Sequence, residues 1–111
     1  MGFLGKLFGK KEEDKAQKVP RVDVQQASAK NSIPPEKVGL DGEFDESGLA
    51  KRVAKALDDA GISDNVGLWV AQEGSKIVFK YNEDAKAALQ QAEAVASKVD
   101  GATSVESLPN T

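Results

Sequence analysis

The 111-residue chain contains no cysteine and no histidine. Those absences remove disulfides, thiolate nucleophiles, most zinc sites and the side chain that ordinarily moves protons near neutral pH. Aromatic residues are scarce too, with four Phe, one Trp and one Tyr. Serines are present, yet a serine nucleophile needs a positioned base to take its proton, and no recognisable arrangement supplies one. Any catalysis would rest on carboxylates, lysines or Tyr81. The composition points to a non-enzymatic protein with no catalytic residues.

Also missing is a long apolar run. A membrane-spanning helix needs about 20 apolar residues, and a secretory signal about 7–15 without interruption; Lys6 and Gly9 break the opening MGFLGKLFGKK. The expected location is cytoplasmic, at most peripheral to the inner membrane. Fifteen Lys plus Arg stand against eighteen Asp plus Glu, a net charge of −3, so no general attraction to nucleic acid phosphates arises. The length suits one domain.

What is present begins with the opening segment, residues 1–11. Phe3, Leu4, Leu7 and Phe8 would line one side of a helix, with Lys6, Lys10 and Lys11 elsewhere. Such a strip can lie on anionic lipid, at about 1 kcal/mol per basic residue near the surface. Alternatively it folds back onto the protein or stays disordered. Gly2, Gly5 and Gly9 each cost roughly 0.8–1.0 kcal/mol relative to Ala in a helix interior, which makes membrane contact weak. Residues 12–42 are polar, carry Pro20, Pro34 and Pro35, and alternate only at Val19, Val22 and Val24. They read as a flexible linker, with a short turn or strand near Val22.

From residue 43 to 109 the pattern is that of a packed domain. Leu49, Val53, Ala56, Leu57 and Ala60 recur at helical spacing, opposite Lys51, Arg52, Lys55, Asp58 and Asp59. Asp45 or Ser47 can cap that helix and Gly61 can end it. Lys51, Arg52 and Lys55 are expected on its solvated face. Val66, Leu68 and Val70 then alternate with small residues and Trp69, a turn follows at Gln72 to Ser75, and Ile77, Phe79 and Tyr81 return. A second helix runs from about Asn82 or Asp84 to Val99, and a short strand is centred on Val105.

The order αββαβ predicts a two-layer α+β domain, with two helices on one face of a three-stranded mixed sheet and a flexible N-terminal arm. The inward set is Leu49, Val53, Leu57, Val66, Leu68, Val70, Ile77, Phe79, Leu89, Val95 and Val105. The uncovered face would show Gly67, Trp69, Ala71, Val78 and Lys80, and an exposed Trp beside Val invites a cover or a partner. The arm residues Phe3, Leu4, Leu7 and Phe8 are candidates for that cover. The same face leaves a monomer or a weak homodimer open. The acidic stretch DGEFDES does not fit an EF-hand, because counting from Asp41 puts Glu46 at the sixth position and Arg52 at the twelfth.

The stretch from GLAKRVAKALDDAGI through VASKVDGATSVESL resembles the BON domain family of bacteria in element order, in the glycine turn of the hairpin and in the helix, glycine, small residue and valine of VASKVDGATSV. Within that family it is most similar to potassium-binding members that join a BON domain to a LysM domain, although no LysM domain follows here. The resemblance implies a BON-like fold. It also implies a potassium ion as possible ligand, held by backbone carbonyls of Ser97, Val99 and Ala102. Two functions are therefore carried forward. The first is a BON-like binding module whose arm contacts its own sheet, an unknown envelope-associated protein partner or a membrane surface. The second is a small cytoplasmic potassium sensor.

Overall fold

The computed structural model describes residues 2–18 and 23–109. Its elements are α1 (Phe3–Phe8), α2 (Lys10–Lys18), α3 (Val24–Asn31), α4 (Gly48–Asp59), β1 (Leu68–Glu73), β2 (Lys76–Tyr81), α5 (Lys86–Ser97) and β3 (Ser104–Pro109), with short 3₁₀ turns at Pro35–Lys37 and Glu83–Ala85.

Helix α4 forms because Leu49, Val53 and Leu57 recur every fourth residue, beside Ala50 and Ala54, and all five are buried. It ends where the sequence says it should. Gly61 takes a positive φ of 78°, its N–H donates to the Asp58 carbonyl (3.0 Å), and the Ile62 N–H reaches the Leu57 carbonyl (3.1 Å). These two bonds satisfy carbonyls that the helix end leaves open, and they fold Ile62 back into the core.

β1 and β2 form an antiparallel hairpin through Gly74 and Ser75, with Glu73 opposite Lys76. Gly74, with φ 61°, supplies the left-handed conformation a two-residue hairpin loop requires. α5 then crosses over to β3, which lies parallel to β2 with Ile77 opposite Val105. The sheet order is β1-β2-β3. Leu68, Val70, Ile77 and Phe79 are buried against α4 and α5, while Val66, Leu89, Val95 and Val105 pack at the margin of the same core. The two-layer α+β arrangement is as the sequence predicts.

The packed structure begins well before residue 43. Within the expected linker, α2, α3 and a 3₁₀ turn form; Val24, Ile33 and Val38 make a second small core, and Leu40 joins the main one. Asp23 caps α3 by accepting the Gln26 N–H (3.0 Å). The apolar residues here are too few and too widely spaced to announce themselves as a helix face: Val24, Ile33 and Val38 meet one another only once the segment has folded, and Leu40 joins residues of α4 in the main core. The turn or strand expected near Val22 lies outside the described residues.

Candidate functional site

The helices cover only one face of the sheet. On the other, cross-strand partners share a side, which places Trp69, Lys80 and Leu108 in one row and Ala71, Val78 and Glu106 in the next. Trp69 is 39% exposed and Leu108 40%. Val78, expected at the surface, is buried to 7% exposure because it sits on the central strand between Ala71 and Glu106. Lys76 and Glu106 pair on this face at 2.7 Å, and Lys80 is exposed.

The arm does not cover that face. Phe3 and Leu4 are inserted into the main core beside residues of α4, and Leu7 and Phe8 pack at its rim. Contact with α4 rather than with the sheet corrects the expected docking place, and the physical reason is visible in the polar groups around α1. The Asp58 carboxylate accepts the Phe3 N–H (2.6 Å) and the Leu4 N–H (3.2 Å), satisfying open amides of α1. Lys6 Nζ donates to the carbonyls of Asp64 (2.9 Å) and Val66 (3.0 Å). Glu12 of α2 pairs with Lys51 at 2.9 Å, and the Lys51 ammonium stands 5.9 Å from the centre of the Phe8 ring. A side chain at Gly2 would overlap the Asp58 carboxylate.

Sequence reasoning placed Arg52 with Lys51 and Lys55 on the solvated side of α4, and the structure buries it to 8% exposure. Its Nε donates to the Val38 carbonyl (2.8 Å), Nη1 to that of Asp100 (2.5 Å) and Nη2 to that of Pro35 (2.5 Å). One guanidinium thus joins α4, the turn after α5 and the segment before α4. Burial pulls its pKa down to about 10, with the Asp100 carboxylate acting in the opposite direction. That value is well above neutral, so the group stays charged. Gln72 makes a parallel connection: its side-chain oxygen accepts the Ala50 N–H (2.7 Å) at the start of α4, and its amide donates to the Glu36 carbonyl (3.0 Å). The signal for Arg52 was Gly48, one turn earlier, since a Cβ there would collide with the Val38 carbonyl. The chain passes close enough at that point to reach the guanidinium.

The other candidate residues have local roles. Asp41 accepts the Glu43 N–H, and Asp45 accepts the Ser47 N–H while pairing with Lys51 at 2.7 Å. Ser47 itself occupies the N-cap position of α4 without a side-chain bond. At the end of α5, the Ser97 hydroxyl donates to the Ala94 carbonyl and the Val99 carbonyl accepts the Ala102 N–H (3.1 Å).

The class defined by this geometry is a small α+β module with helices on one side of a mixed sheet, an open opposite face and a docked N-terminal arm. Comparison with protein families gives a match over residues 20–110 to LytR_C, described as the LytR cell envelope-related transcriptional attenuator, and the chain belongs to that family. No curated protein matches, and neither does any solved structure. The match overturns the BON resemblance, which rested on element order and glycine spacing that a two-layer module of this topology can share. The potassium expectation falls with it, because the carbonyls of Ser97, Val99 and Ala102 were named only through that resemblance. At the turn itself, the Asp100 carbonyl already holds the Arg52 guanidinium. No helix among the described residues is long and apolar enough to cross a membrane.

Proposed function

We propose that the chain is a non-catalytic binding module of the cell envelope that engages a protein partner through the open face of its sheet. The row of Trp69, Lys80 and Leu108 carries this reading: two large apolar side chains and a cation stand exposed on three adjacent strands. The envelope setting comes from the family. Three six-residue strands, at about 4.8 Å spacing and about 3.3 Å per residue, present on the order of 300 Å². A standard interface takes roughly 800 Å² from each partner, so a second copy stacked face to face gives only a weak dimer. A partner that also reaches the hairpin and strand edges fits better.

The test places a photo-crosslinking residue at Lys80, and separately at Lys55 on α4 as a control, in cells fractionated into envelope and cytosol. Adducts in the envelope fraction from position 80 that disappear with Trp69→Ala are expected. Identical adducts from both positions, or adducts indifferent to Trp69, would refute the reading.

A further inference from the structure

We infer that the N-terminal segment is a releasable foot for an anionic lipid surface, and that the contact with α4 is its closed position. The segment has an unusual standing in the fold. Residues 2–18 lie outside the match to the family, yet Phe3 and Leu4 are fully buried in the core of the matched domain. Its polar attachments, which include a long bond from the Gly2 N–H to the Glu13 carboxylate of α2 (3.4 Å), are of a kind that water can replace. When α1 leaves, the Asp58 carboxylate, the Asp64 and Val66 carbonyls and the Lys6 ammonium, all at the surface or half-buried, become hydrated instead of being stranded in apolar surroundings. Gly9, with φ 97° and open space around it, separates α1 from α2. α1 can therefore swing out while Glu12 keeps its ion pair with Lys51.

The released strip carries Phe3, Leu4, Leu7 and Phe8 with Lys6, Lys10 and Lys11, and residues 2–11 contain no acid. Its charge therefore complements anionic headgroups, and its apolar side chains exchange a protein core for the acyl boundary. The acids begin at Glu12, which marks where lipid contact stops.

The absence of native cysteine permits a clean test on the full chain. A side chain at Gly2 lies against Asp58, so Gly2→Cys with Asp58→Cys puts two thiols within disulfide reach. Co-sedimentation with phosphatidylglycerol vesicles, and with phosphatidylcholine vesicles as the uncharged comparison, is measured for the oxidised and reduced forms and for the wild type. The wild type and the reduced form should bind the anionic vesicles at least about tenfold more tightly than the oxidised form, and the uncharged vesicles weakly. Equal binding by oxidised and reduced forms, no wild-type binding to anionic vesicles, or arm release only on adding an envelope protein would overturn the inference. Should the double variant fail to fold or oxidise, Leu7→Glu decides alone: Leu7 lies half-buried at the rim of the core, vesicle binding should fall about tenfold or more, and undiminished binding overturns the proposal. Trp69→Ala should leave vesicle binding unchanged, which separates this inference from the sheet-face reading.

Discussion

Arg52→Ala should be among the most damaging single substitutions in the chain. Three backbone carbonyls from two segments, those of Pro35, Val38 and Asp100, accept from this one guanidinium, and that of Pro35 also accepts the Val38 N–H (3.4 Å). A hydrogen bond to a charged group contributes about 1.5–3 kcal/mol, and a buried acceptor left without a partner costs about 1–3 kcal/mol. The two effects describe the same loss and are not added. Water can reach the Pro35 and Asp100 carbonyls, whose bonds are only partly buried, whereas the bond to Val38 is fully buried. The variant also no longer dehydrates a guanidinium, which returns part of the loss. A net destabilisation of about 2–4 kcal/mol follows, a large share of the roughly 5–15 kcal/mol available to such a domain. Urea unfolding with an unchanged m-value measures it. Hydrogen exchange should show residues 33–40 losing protection first. Arg52→Lys offers a single ammonium to three carbonyls and should recover less than half of the loss. A destabilisation below about 1 kcal/mol, or full recovery by Lys, would show that the three bonds exchange evenly with water and that the segment is held by its other contacts, among them Val38, Leu40 and the Gln72 bond to Glu36.

Gly48→Ala gains helix propensity but drives a methyl into the Val38 carbonyl and to 3.0 Å from the Gly39 nitrogen; thermal unfolding should show a net loss of about 1–3 kcal/mol. Asp58→Ala removes the acceptor shared by the Phe3 and Leu4 amides, so amide exchange at residues 3–8 should accelerate about tenfold or more while β2 keeps its protection. Burial lowers the Lys51 pKa, but Asp45 and Glu12 outweigh it and the net shift is upward. Its contribution is therefore full below the ordinary lysine pKa and lost as pH rises through the elevated folded value, so Lys51→Met should cost about 1 kcal/mol or less at pH 8 and nothing well above the folded pKa. Trp69→Ala should shift the unfolding midpoint by only a few degrees, since the ring is 39% exposed; a shift comparable to that of Arg52→Ala would mean that Trp69 is a core residue rather than a contact surface.

The central domain was legible because its elements are locally self-consistent. Leu49, Val53, Leu57 and Gly61 define a helix and its end within one stretch, and the alternation around Gly74 defines a hairpin. Docking of residues 24–40 was not legible, because its determinants sit far apart: Arg52 on α4, Gln72 on β1 and the close approach at Gly48. An arginine on a helix is solvated so often that only the neighbouring glycine hinted otherwise. The open face was half readable. Trp69 stands where alternation puts it, but the burial of Val78 depends on which strand is central, and the register of β3 decides that. For the opening strip the apolar stripe was evident, and its destination on α4 hinged on Asp58, fifty-five residues from Phe3.

A mixed sheet of only three strands has two edges, and each is an invitation to another strand. The two edges differ in what they present. On β1, Leu68 is fully buried and Val70 nearly so, with the Gln72 side chain turned to the start of α4. β3 is more open, but it carries Glu106 near its middle and runs into Pro109, which has no N–H to offer a neighbour. A copy pairing antiparallel with β3 about a two-fold axis through Glu106 would set Glu106 against Glu106, like charge opposite like. The sheet that leaves one face open to a partner thus carries, on its β3 edge, a charge and a proline that work against the addition of a further strand.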